Sequence, residues 1–182
     1  MPPETDFAEQ LAEQARQSYS LGDFEHAADL FEQAEAAFMT SQSPHKASEM
    51  ANNQSVALLQ GGDPKGALKA AEGTEAIFAA EGNVKYQAMA LSNQAAAHEA
   101  LGHLDQALIL YQQSSDLLKE IADTDARPFV LKRLSAIQMR KGRFMQGLAT
   151  MDTSLTISPH LTLSQNFLKK LLQVPLGMVS KQ

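Results

Sequence analysis

The stretch ALSNQAAAHEALGHLDQALILY, from Ala90 to Tyr111, decides the fold. Its first half is rich in alanine, the strongest helix former. Gly102 interrupts it, and beyond the glycine Leu104, Ala107, Leu108 and Tyr111 return at helical spacing. The segment therefore reads as a helix, a tight bend and a second helix. Glycine stands where the first helix must end, because it accepts left-handed backbone without a steric penalty.

The same unit recurs along the chain. Gly22, Gly62, Gly102 and Gly142 stand 40 residues apart. Seven places before each glycine come Ala15, Ser55, Ala95 and Ser135, and five places after it Ala27, Ala67, Ala107 and Gly147. These small residues let the two helices of a hairpin approach closely. Eleven places before come Leu11, Ala51, Leu91 and Leu131; two and nine places after come bulkier pairs such as Phe24 with Phe31 and Leu104 with Tyr111. The bulkier residues fill the gaps between hairpins, since no single unit can bury its apolar face alone. Asp23 and Asp63 follow their glycines and are suited to cap the next helix, while His103 and Arg143 cap less well.

The spacing predicts helices at about 5–21, 24–40, 45–60, 64–80, 85–101, 104–121, 127–141 and 144–157. They group into four repeats at about 5–42, 45–82, 85–122 and 127–158. Leu161, Leu163, Phe167, Leu168, Leu171 and Leu172 lie opposite Gln165, Asn166, Lys169 and Lys170, which predicts an amphipathic capping helix over 160–173. Pro175 and Gly177 are expected to end it, leaving 174–182 as a flexible tail.

Composition narrows the function. The 182 residues hold 44 % hydrophobic side chains, enough for a core of normal size, and no cysteine, which excludes disulfides and thiolate chemistry. Fifteen basic against twenty-one acidic residues give a net charge of -6, which argues against nucleic acid as a partner. No apolar run is long enough to span a membrane, and the acidic start is the wrong sign for a signal peptide, so a cytoplasmic protein is expected. The five histidines show no metal-ligand spacing; His98 and His103, five apart, are expected to be separated on a helix. No phosphate loop or acid–base pair stands out, so no enzyme, no cofactor and no metal are expected.

The recurring pattern of small residue, Gly-Asp-aromatic, Ala, aromatic and Ala resembles the tetratricopeptide repeat (TPR), most clearly over Ala90–Tyr111. The resemblance implies an all-α fold: a right-handed superhelical solenoid of four helix–turn–helix repeats plus a C-terminal capping helix. The common period is about 34 residues; the longer one here is similar to that of the Pins/LGN adaptors and kinesin light chains. Gln14, Gln54 and Gln94 depart from it in a column that is commonly Leu, and Ser18, His98 and Gln138 where Tyr is frequent.

The resemblance places the first helix of each hairpin on a concave inner face. The column nine before each glycine, Glu13, Asn53, Asn93 and Arg133, is expected to face inward. In the long-repeat adaptors Asn in this column holds a peptide backbone, which implies that role for Asn53 and Asn93. A carboxamide carries both a donor and an acceptor and so matches a peptide unit. Glu13 and Glu49 toward one end, and Arg133 and Arg140 toward the other, suggest a groove acidic at its N-terminal end and basic at its C-terminal end, against the alternative of ordinary surface charge. Val56, Leu59, Met89, Ala96, Phe129 and Met139 are candidates for apolar pockets or for plain packing. The carboxylate clamp of some TPR proteins is incomplete here. Asn93 and Arg133 match it, but Asn52 and Phe129 stand where lysines are required. The expected function is a non-catalytic scaffold that binds a peptide or partner segment in the concave groove. The alternatives are a homo-oligomerising assembly module and a regulatory sensor of a small ligand.

Overall fold

The computed structural model describes residues 3–179. Among them, ten helical segments follow one another without strands: α1 Pro3–Ser20, α2 Phe24–Thr40, α3 Pro44–Gln60, α4 Pro64–Ala71, α5 Thr74–Ala80, α6 Val84–Ala100, α7 Leu104–Glu120, α8 Ala126–Arg140, α9 Phe144–Ile157 and α10 Leu163–Val179. They gather into two compact units, residues 1–107 and 108–182.

The glycines stand at the bends. Gly22, Gly62, Gly102 and Gly142 have φ between +74 and +86. Beside each, the next residue's N–H reaches back five residues: Asp23 to Ser18 O, Asp63 to Leu58 O, His103 to His98 O and Arg143 to Gln138 O, at 2.8–3.0 Å. This is the Schellman closure, which satisfies carbonyls orphaned by the helix end. The joints between repeats close the same way, with Ser43 on Phe38 O, Asn83 on Phe78 O and Asp123 on Leu118 O, each at 2.9 Å. At two of these joints the left-handed residue is not glycine but Gln42 (φ 54) and Ala122 (φ 52). Asp23 and Asp63 cap the helices that follow, accepting from His26 N and Gly66 N, whereas Arg143 makes no side-chain cap.

The small-residue columns are closed contacts. Ala15, Ser55, Ala95 and Ser135 are buried, as are Ala27, Ala67, Ala107 and Gly147. In the α8/α9 hairpin the Ser135 hydroxyl donates to Gly147 O at 2.7 Å, and Ser154 donates to Pro128 O at 2.8 Å. A further column, Phe38, Phe78 and Leu118, is fully buried at the end of three second helices. Each such side chain contributes about 1.5–3 kcal/mol by leaving water. Phe144, in the +2 column of the last repeat, is exposed.

Two expectations are corrected. The predicted helix 64–80 is broken into α4 and α5. Glu72 is extended (ψ 128) and Gly73 is left-handed (φ 80). Glycine inside a helix forgoes stability relative to alanine, so a break at this place costs little. The freed carbonyl of Ala71 then accepts from Thr74 Oγ1 at 2.8 Å and Gln94 Nε2 at 2.9 Å. At the other end, α10 continues through Pro175 to Val179 instead of stopping at 173. Proline removes one intrahelical donor and bends a helix, which does not forbid its continuation. Of the expected tail, 180–182 lie outside the described residues. α10 packs on α9 and buries Leu172.

Candidate functional site

In the first unit, α1 and α3 enclose a cleft of about 280 Å³ lined by Arg16, Tyr19, Phe31, Asn53 and Val56. Phe31, from α2, forms its buried floor. The half-buried Asn53 carboxamide has no hydrogen-bond partner among the described residues. An unmatched amide beside an aromatic floor can engage one peptide unit through both its donor and its acceptor.

Around this cleft the acidic residues have partners of their own. Glu13 accepts from Arg16 Nε one turn on, at 3.0 Å. Glu9 pairs with Lys46 of α3, whose ammonium lies 5.3 Å from the Phe38 ring centroid. Glu49 lies 3.6 Å from His45 Nε2, and the other ring nitrogen of His45 contacts Glu81 at the end of α5. The rings of Phe78 and Tyr86 stand edge-on to His45 at 5.3 and 5.4 Å. A hydrogen bond to Glu49 holds the Tyr86 phenol above its ordinary range, and burial and the Glu49 charge push the same way. Glu49 is therefore an internal acceptor.

Asn93 is engaged. Its Nδ2 donates to Asn52 Oδ1 at 3.4 Å, and the Thr74 hydroxyl oxygen, whose proton goes to Ala71 O, lies 3.3 Å from the same Asn52 oxygen. Asn52 is buried, and its own Nδ2 has no partner among the described residues. Gln94, next to Asn93, spans Ala71 O and Glu75. Asn52, Thr74 and Gln94 are the residues that sequence reasoning missed. The available signals were a glycine in mid-helix at Gly73 and a glutamine in a leucine column at Gln94.

Comparison with solved structures places this arrangement. A kinesin light chain-like protein of Podosopora anserina, built of nearly identical TPR-like repeats, superposes with a TM-score of 0.74 at 16 % identity, covering 98 % of this chain and 90 % of that one. The fold is that of TPR-like repeats. BtubC (BKLC) from P. vanneervenii gives a TM-score of 0.75 at 15 % identity over 96 % of this chain and 74 % of that chain. No protein-family model and no curated protein sequence matches the chain.

In the second unit, α8 of the TPR-like fold carries the remaining expected residues. Arg133 is exposed and donates through Nε to the Tyr111 hydroxyl at 3.4 Å. Arg140 is exposed in the last turn. Phe129 is exposed, while Met139 lies against Gly147 in the α8/α9 hairpin. The expectation that His98 and His103 are separated is corrected. His98 ends α6 and His103 precedes α7, and the bend brings their Nδ1 atoms to 3.3 Å. Burial, and then the His103 charge, lower the His98 imidazole below its ordinary value. Among the described residues, no three His, Asp or Glu side chains gather as a metal site, and no helix is long and apolar enough to cross a membrane.

Proposed function

We propose that the chain is a non-catalytic protein-interaction scaffold that holds an extended peptide against the inner faces of α1, α3 and α6. The observation that carries this reading is the unmatched Asn53 carboxamide in the α1/α3 cleft, with Tyr19, Phe31 and Val56 around it. Asn53 grips a backbone unit, and the cleft takes an adjoining apolar side chain. Asn93 acts with Asn52, whose bond to it fixes the amide in place. Glu13 and Glu49 favour a basic residue beside the α1/α3 cleft, which orients the peptide more than it tightens binding, and Arg133 and Arg140 of α8 favour acidic residues of a partner.

The test is a displayed peptide library selected on the purified chain, followed by binding assays with a selected peptide. Replacing Asn53 with Ala is expected to weaken binding by about tenfold, the scale of a lost hydrogen-bonded pair. N-methylation of one peptide amide is expected to do the same, with no further loss when the two changes are combined. Equal affinity of wild type and Asn53→Ala would remove the reading.

A second reading is self-association through α10, where Leu163, Phe167 and Leu171 form an exposed apolar stripe at four-residue spacing. Sedimentation of wild type beside Phe167→Asp distinguishes it: an oligomer that the substitution dissociates supports it, and a monomeric wild type ends it.

A further inference from the structure

The break between α4 and α5 opens a larger cleft, of about 570 Å³, between α2, α3 and the broken helix. Its floor runs along Ala47, Ala51, Gln54 and Leu58 of α3. At 3.6 residues per turn this face lies roughly opposite Asn53 and Val56. The cleft is therefore distinct from the inner one.

Three features define what it can hold. Met39, Leu58 and Ile77 make its walls apolar. Glu32, Glu35, Asp63 and Glu72 line it against a single cation, Lys69. None of the four carboxylates has an ion-pair partner among the described residues. Burial, and then the Glu32 charge, push the Glu35 carboxyl above its ordinary value. Finally, Ser48 lines the cleft at 4 % exposure, and its hydroxyl has no hydrogen-bond partner among the described residues. A hydroxyl on such a wall can donate to or accept from a backbone group of an occupant.

The backbone supports the same conclusion. The other second helices, α2, α7 and α9, run unbroken for 17, 17 and 14 residues. Only the second repeat departs, and Thr74 and Gln94 close the carbonyl that the departure frees. Gly66 and Gly73, both lining residues, carry no side chain into the opening. A break held open by dedicated hydrogen bonds is a built feature of the fold.

We propose that this outer cleft is a second docking site, which takes a lysine or arginine side chain borne on an apolar segment of a partner protein. The cation lies among Glu32, Glu35 and Glu72, the Ser48 hydroxyl meets a backbone group of the segment, and apolar neighbours rest on Met39 and Ile77. The chain then binds partners on two opposite faces of α3, one through a backbone grip and one through charge.

The experiment uses the full chain and a fluorescein-labelled peptide, acetyl-Leu-Arg-Leu-Arg-Leu-amide, read by fluorescence anisotropy. Amide chemical shifts are followed alongside. Saturable binding is expected, with shifts concentrated at Ser48, Gly66, Gly73 and Thr74. The triple variant Glu32→Gln/Glu35→Gln/Glu72→Gln is expected to bind about tenfold more weakly, from three partly exposed charge contacts. A charge-matched control, Glu25→Gln/Asp29→Asn/Glu120→Gln, removes exposed acids elsewhere and is expected to bind as wild type. Asn53→Ala is expected to do likewise. The proposal is overturned if the control weakens binding as much as the cleft variant, since the attraction is then only net charge. It is also overturned if Asn53→Ala alone abolishes binding, or if wild type shows no saturation at millimolar peptide. Those outcomes leave the inner-cleft reading to its own test.

Discussion

Gly147 sets two physical effects against each other, and the structure decides which prevails. Gly147 lies inside α9, so replacement by alanine gains helix propensity, about 0.5–1 kcal/mol. The added Cβ, however, would stand 2.7 Å from Met139 Cγ and 3.1 Å from Ser135 O, where carbon contacts are comfortable at about 3.5–4.0 Å. Ser135 O belongs to the backbone of α8 and cannot yield alone. Met139 Cγ sits near the root of its side chain and retreats only by changing χ1. The helices must separate by several tenths of an ångström, and the 2.7 Å bond from Ser135 Oγ to Gly147 O lengthens with them. Overpacking costs about 1–3 kcal/mol and a weakened buried hydrogen bond about 1 kcal/mol. Gly147→Ala is therefore expected to destabilise by about 1.5 kcal/mol, a fall in melting temperature of about 3–6 °C. Circular dichroism during heating measures it, and amide exchange should locate the loss in α8 and α9. In a double-mutant cycle, Met139→Ala is expected to make Gly147→Ala cheaper than in the wild-type background. If Gly147→Ala melts at or above the wild-type temperature, the close-approach argument fails.

Three other outcomes are expected. Ala122→Gly relieves a left-handed alanine at the joint before α8 and should stabilise by about 0.5–1 kcal/mol, seen as a raised urea midpoint at unchanged slope. Gln94→Leu restores the apolar residue usual in its column but removes a donor from Ala71 O; a loss of about 1 kcal/mol is expected, with faster amide exchange in α5. His98 is shifted downward in the folded chain, so the unfolded chain binds the proton first, and stability falls as pH drops below about 6.5. Melting temperatures between pH 7.5 and 5.5 should accordingly fall less for His98→Asn than for wild type.

What was legible in the sequence is what local chemistry encodes. A helix end that needs left-handed backbone names its residue, and four glycines at one spacing named four bends. Close helix approach likewise names Ala, Ser or Gly. The joints were less legible because Gln42 and Ala122 tolerate left-handed backbone without announcing it. Non-local pairing left no trace at all. Glu9 finds Lys46 across 37 residues and His45 finds Glu81 across 36, so side chains that look free in the sequence are partnered in the fold. His98 and His103 were misjudged because helical geometry was applied across a bend.

The second repeat shows why departures from a period deserve a physical reading together and not one at a time. Gln94 in a leucine column, Gly73 within a helix and Asn52 beside the inward column each look like tolerated drift. In the structure they converge. Gly73 lets the chain leave the helix, Gln94 and Thr74 take the carbonyl that is freed, and Asn52 Oδ1 accepts from Asn93 with the Thr74 hydroxyl 3.3 Å away. The break in the second repeat thus lies beside the Asn52–Asn93 pair. Restoring the helix with Gly73→Ala would have to force an alanine into left-handed backbone or close the break, and closing it returns Ala71 O to the helix and releases Gln94. The departures of the second repeat are therefore one feature: the residues that tolerate the break are the residues that satisfy what it exposes.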